Sequence, residues 1–294
     1  PQVLLLVAMA GLMVGLEILL PYERYAKVLR WLTLSLVAYI AVLFVIDVNW
    51  GSVLRQTLIP RVSWNRPQIA VLIAILGTTI SPYLFFWQTS EEVEEKQLEK
   101  KAGVDREHLA LMRTDVLAGM ASAVLVMFAI MVASAATLGS KGVTTVQTAQ
   151  QAAEALRPIA GKLASLLFTL GIVGTGLLAV PVLAGATAFA LSEAFGWQEG
   201  LGQKFSGARK FYVVIAVAML VGLVMNFVGV DPIRALYFAA ILNGVAAPPL
   251  ILLMLILSNH EPTCGKWTGR RWSNALVGLA LVLMTALPIA YLVA

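Results

Sequence analysis

Eight uninterrupted apolar runs, each near the length that crosses a bilayer, constrain this chain more than any motif within it. They fall at 3–20, 28–47, 68–90, 114–138, 162–195, 211–228, 233–257 and 273–293. A hydrocarbon core of about 30 Å is spanned by roughly 20 apolar residues in a helix. Strands do not fit, because the runs are continuous rather than alternating and are far too long. The expected fold is therefore an all-α polytopic membrane protein with about eight transmembrane helices. Composition agrees: 60% of the 294 residues are hydrophobic and 13% charged, too few charges to solvate a water-facing surface. That excludes a soluble enzyme, and the high hydrophobicity excludes a disordered chain.

The polar connections carry an orientation signal. Basic residues concentrate in alternate loops, with Arg24, Lys27 and Arg30 in one and Lys96, Lys100, Lys101, Arg106 and Arg113 in the next. Lys204, Arg209 and Lys210 follow, then Lys266, Arg270 and Arg271. The intervening loops hold about half as many, so the first set is expected to face the cytoplasm. The chain opens on Pro1 inside an apolar run, with no Met, basic leader or cleavage pattern. It reads as the interior of a longer protein.

Helix punctuation refines the segments. Asp231-Pro232 predicts an N-cap and a first-position proline for the 233–257 helix. Thr114 is expected to cap the 114–138 helix, with Asp115 favourable to its dipole. The glycine-rich 162–195 run is expected to tilt or to include an interfacial turn, and the polar stretch before it to form a short surface helix. Trp31, Trp50, Trp64, Trp197, Trp267 and Trp272 lie near expected helix ends, as an interfacial belt would place them. His108 and His260 are read as solvated loop histidines.

No P-loop, HExxH, GxSxG or CxxC pattern is present, and Cys264 is the one cysteine. The sequence therefore points to no enzyme, no cofactor and no nucleic-acid partner. Its partners are the lipid bilayer and whatever crosses it, and its oligomeric state is open.

One span stands apart. Its middle reads Gly77-Thr78-Thr79-Ile80-Ser81-Pro82-Tyr83. Pro82 lacks an N–H and clashes with the carbonyl of residue 78, so one helical bond is lost. Free carbonyls at bilayer depth are tolerated only where they line a cavity or are otherwise satisfied. A helix broken at the midplane is a sequence pointer to the substrate site of a secondary transporter. The alternative is a packed proline kink whose hydroxyls bond back to the helix.

Gly77 to Tyr83 resembles the sixth-helix motif of the Nramp family of divalent metal transporters, which typically reads Gly-Ala-Thr-Val-Met-Pro-His. The run Gly171-Ile172-Val173-Gly174-Thr175-Gly176-Leu177-Leu178, then Leu183-Ala184-Gly185 and Ser192-Glu193-Ala194-Phe195, is similar to that family's eighth helix. The similarity covers essentially all 294 residues. It implies a LeuT-like inverted-repeat bundle, with 1–67 the last two helices of the first repeat, 68–258 the second repeat and 259–294 an extra C-terminal helix. The implied activity is transport of a divalent metal ion across the inner (plasma) membrane by alternating access.

Two departures qualify what the resemblance implies. Ser81 stands where the family has its metal-binding methionine, and Tyr83 where it has a histidine. A thioether suits soft transition metals, whereas hydroxyl and carbonyl oxygens suit Mg²⁺, Ca²⁺ and Mn²⁺. The loss therefore resembles a divergent magnesium-transporting branch, and Mg²⁺ or Mn²⁺ is expected above Fe²⁺. The resemblance makes the Thr78 carbonyl and Ser81 the ion-facing groups, with Thr79, Tyr83 and Asn243 on the pathway and Gly77 and Pro82 as the hinge. It assigns the site's Asp and Asn to a helix with no counterpart here. Two other readings stay open: a LeuT-like carrier of an organic solute such as an amino acid, and a non-transporting membrane subunit.

Overall fold

A computed structural model describes residues 2–19, 22–60, 63–99, 106–139, 142 and 148–293. Expectations that fall on Pro1, Lys100, Lys101, Lys141 and Gln147 lie outside that set. Among the described residues the secondary structure is helical throughout, with no strand. The helices are α1 (Gln2–Leu19), α2 (Tyr22–Thr33), α3 (Val37–Val42), α4 (Trp50–Leu58), α5 (Arg66–Thr79), α6 (Pro82–Glu99) and α7 (Arg106–Thr137). They continue with α8 (Ala149–Phe195), α9 (Arg209–Phe227), α10 (Pro232–Ser258), α11 (Glu261–Cys264) and α12 (Arg271–Val293). Among the described residues, six stretches are long and apolar enough to cross a membrane: Arg66–Glu94, Arg106–Thr137, Gly161–Phe195, Arg209–Phe227, Pro232–Ser258 and Arg271–Val293. Their outward faces expose residues such as Leu220, Leu242, Leu276 and Val282, as a lipid-facing surface requires.

Local chemistry explains the boundaries, including those the sequence placed differently. Asp231 caps α10 as expected: its carboxylate accepts the Ile233 N–H at 2.9 Å. Thr114 caps nothing. The helix begins at Arg106, and the Thr114 hydroxyl donates back to the Ala110 carbonyl at 2.9 Å. The charged turns 106–113 simply continue the helix beyond its apolar part, because a helix need not end where the lipid does. His108 consequently sits on that helix rather than in a loop, 3.7 Å from Glu92. The 28–47 run is also not one regular helix. It passes through a 3₁₀ turn at Leu34–Leu36 and its helix stops at Val42.

The surface helix ahead of residue 162 is present. It starts at Ala149, where the Thr148 hydroxyl accepts the Gln151 N–H, and it meets the long span at Gly161. The turn sits there, before the glycine-rich run rather than within it. Gly161 adopts φ 81° and ψ 178°, a region closed to residues with a Cβ. The Ser165 hydroxyl then donates across the corner to the Ala153 carbonyl at 2.7 Å.

The chain divides into two compact units, Pro1–Leu58 with Phe86–Ile233, and Ile59–Phe85 with Arg234–Ala294. The first unit has two apolar centres. In one, Phe189 meets Trp87 and Phe211 edge-on at 5.8 and 4.9 Å, with Tyr212, Ile215 and Met219 buried around them. In the other, Tyr39 packs edge-on against Phe168 at 5.6 Å, with Val42, Ala133 and Ala164. Two glycines of α8 serve close packing here: Gly171 lies on the Tyr39 ring, and Gly174 faces Ser35. In the second unit, Ala247, Ile251 and Met284 form the buried centre, with Leu76, Ile80, Val277 and Leu281 against it.

Candidate functional site

The break predicted from Pro82 is present in the second unit. Asn65 caps the start of α5, accepting the Gln68 N–H at 3.0 Å, while the Gln68 side chain reaches back to the Ser63 N–H at 2.7 Å. The helix runs to Thr79. Ile80 then leaves helical space at φ −105° and ψ 73°, and α6 starts at Pro82. The carbonyl end of α5 thus meets the N–H end of α6 around Ile80–Ser81. Helix dipoles make the first attractive to a cation and the second to an anion.

The serine and threonine hydroxyls of this segment are all engaged. Thr78 Oγ1 donates to the Ala74 or Ile75 carbonyl, each at 2.9 Å, and Thr79 Oγ1 to Ile75 at 2.8 Å. Ser81 Oγ donates to the Thr78 carbonyl at 2.7 Å, with the Gly77 carbonyl at 3.4 Å. The acceptor that Pro82 orphans is therefore satisfied by the residue before the proline. Ser81 is 2% exposed and Pro82 is buried; Thr79 and Tyr83 are half-buried, and Thr78 is exposed. Each hydroxyl keeps its lone pairs, and each carbonyl has a second one. These are neutral oxygens of the kind that hard divalent ions accept.

Gly77 fixes where this segment lies. A Cβ there would fall 2.2 Å from the Ala240 carbonyl oxygen and 2.5 Å from the Gly244 nitrogen. A Cβ on Gly244 would fall 2.6 Å from the Ile73 carbonyl oxygen. The backbones of α5 and α10 therefore touch, one turn before the break. Asn243, half-buried, adjoins that crossing in sequence. Gly244 was not singled out from the sequence as a partner of Gly77, although a glycine in the middle of an apolar helix is the signal for such an approach. Among the described residues no group of three or more His, Cys, Asp or Glu side chains could hold a metal.

A family model for natural resistance-associated macrophage protein-like proteins, Nramp, matches residues 1–294. The chain belongs to the Nramp family. Its members are transporters of metal ions rather than enzymes, and they are multi-pass membrane proteins with a LeuT-like fold. Among curated relatives, a divalent metal cation transporter MntH of Caldanaerobacter subterraneus is 26% identical over 247 residues, 81% of this chain and 55% of the relative. MntH of Clostridium acetobutylicum is 26% identical over 253 residues, 85% of this chain and 55% of the relative. MntH of Klebsiella pneumoniae is 24% identical over 276 residues, 90% of this chain and 61% of the relative. The chain thus spans little more than half the length of these Nramp relatives.

Proposed function

We propose that the protein to which this chain belongs carries a divalent metal cation across the plasma membrane by alternating access. The supporting observation is the helix interruption at Ile80–Ser81, in a chain of a metal-transporting family, where α5 ends in carbonyl oxygens. In this reading the ion is held by the Thr78 carbonyl and the Ser81 hydroxyl. On ion binding, the Ser81 hydroxyl turns its lone pair inward and releases the Thr78 carbonyl to the ion. Thr79, Tyr83 and Asn243 border the pathway, and Gly77 and Pro82 set the hinge. The residues 1–67 and 68–258 belong to successive repeats, with 259–294 appended.

We further infer that the cargo is Mg²⁺ or Mn²⁺ in preference to Fe²⁺. Every candidate ligand here is a hard, neutral oxygen, and no thioether occupies the position before Pro82. Neutral oxygens alone bind a dication weakly, so the anionic share of the site comes from the family's Asp- and Asn-bearing helix.

Uptake by the full-length protein tests both statements. Mn²⁺ uptake should be competed by Mg²⁺ and should fall in Ser81→Ala. Ser81→Met should shift preference toward Cd²⁺ and Fe²⁺. Uptake and ion preference unchanged in both variants would remove Ser81 from the site.

A further inference from the structure

Beyond the break, α6 runs toward the loop that joins α8 to α9, and a group of carboxylates gathers there, all within the first unit. The Glu94 carboxylate accepts the backbone N–H of Leu201 at 3.1 Å and also that of Gly202. Successive amides facing one anion form a nest, a stronger arrangement than a neutral hydrogen bond. The loop is pinned from its other side. The Tyr212 hydroxyl, buried on α9, lies 2.7 Å from the Gln203 carbonyl and 3.2 Å from that of Leu201. Gly200 holds φ 122°, and a Cβ there would lie 3.2 Å from the Glu94 carboxylate oxygens.

Two further acids adjoin this anchor. Glu193, at the end of α8, receives the Ser90 hydroxyl of α6 at 3.4 Å. Glu199 precedes Gly200, and its Oε2 is shut off from solvent without a hydrogen-bond partner. The charges that bear on Glu199 are Glu193 from α8 and Glu94 from α6. The nearby cation of α9, Lys210, is placed over the Trp197 ring at 4.9 Å.

We propose that Glu94, Glu193 and Glu199 form a proton-operated latch, in which Glu94 holds the Leu201 and Gly202 amides and so fixes the far part of α6 to the α8–α9 loop. A protonated Glu199 leaves Glu94 as the charged acceptor for the two amides. An ionised Glu199, with one carboxylate oxygen shut off from solvent and unpartnered, adds a further negative charge beside it and loosens the loop. Burial, then Glu193 and Glu94, push the Glu199 carboxyl up from 4.5 to about 7, so the change falls near neutral pH. The latch tightens as pH falls through that range and weakens as it rises.

Hydrogen exchange of the 200–203 amides in the full-length protein, in lipid nanodiscs, tests this without using transport. Rates are corrected for intrinsic chemical exchange and compared at about pH 5.5 and about pH 8.5. Wild type should exchange these amides about tenfold faster at the higher pH. Glu199→Gln should keep slow exchange at both, and Glu94→Gln fast exchange at both. Size-exclusion behaviour and unchanged exchange in α9 confirm that each variant is folded. Exchange independent of pH in wild type, or protection retained in Glu94→Gln, would overturn the latch.

Discussion

The Ser81 hydroxyl donates to the Thr78 carbonyl at 2.7 Å, across the position where Pro82 removes the helical donor. One residue thus both neighbours the helix breaker and repairs its main electrostatic consequence. Ser81→Ala should leave that carbonyl without its donor and cost about 1–3 kcal/mol. Thermal unfolding of the full-length protein in detergent reads the loss. An unchanged midpoint would mean that water or another donor takes over.

The threonines beside it differ in kind. Their hydroxyls bond to carbonyls one turn back, so their side chains are committed to the helix. If the Thr78 group that meets the ion is its carbonyl, Thr78→Val and Thr79→Val should each leave uptake within about twofold of wild type. A loss as large as that of Ser81→Ala would instead make the threonine hydroxyls ligands.

Gly77 and Gly244 admit no side chain. Gly77→Ala and Gly244→Ala should each cost at least about 1–3 kcal/mol, because the clash is with backbone that cannot turn aside. Gly176→Ala is the control: nothing beyond its own stretch of helix backbone lies within 4 Å of a Cβ there, and exchanging glycine for alanine in an open helical position should stabilise slightly. Thermal midpoints of the three variants, measured side by side, separate close packing from a general preference for glycine.

Gly161 is required for a different reason. Space around it is open, but its φ of 81° is not. Gly161→Ala should destabilise by about 1–3 kcal/mol, or straighten the corner and break the Ser165 to Ala153 hydrogen bond. Protease accessibility of the 149–160 helix distinguishes these from an unaffected fold.

The raised carboxyl of Glu199 fixes a sign. Between about 4.5 and about 7 the folded state binds more protons than the unfolded one, so this group's contribution to stability falls as pH rises through that window. Glu199→Gln should flatten that part of the stability profile. A wild-type profile that rises across it, with no difference from the variant, would contradict the assignment.

Much of this was legible in the apolar runs and in Pro82. Run length fixed the spans from the third onward, and Pro82 placed the break, because both follow from local rules that need no partner. Thr114 misled for the same reason: a good cap residue at a polarity boundary says nothing about a helix that continues into water. The sequence leaves the engagement of Thr78, Thr79 and Ser81 with carbonyls as one of two alternatives, and only geometry decides which bonds form. The contact of Gly77 with Gly244 joins residues far apart in sequence, and no periodicity pairs them. The hold of Glu94 on the loop was equally hidden, since an acidic run on a helix looks the same whether it meets solvent or amides.

Peptide groups have no rotamers. Where α5 and α10 meet through Gly77 and Gly244, each glycine faces backbone of the other helix, and backbone cannot repack to forgive an added methyl. The helix end that carries the break is registered against its neighbour to within a fraction of an atom's width. For heredity, the two glycines behave as a single character: neither can drift alone, and related chains should keep both or have lost both together.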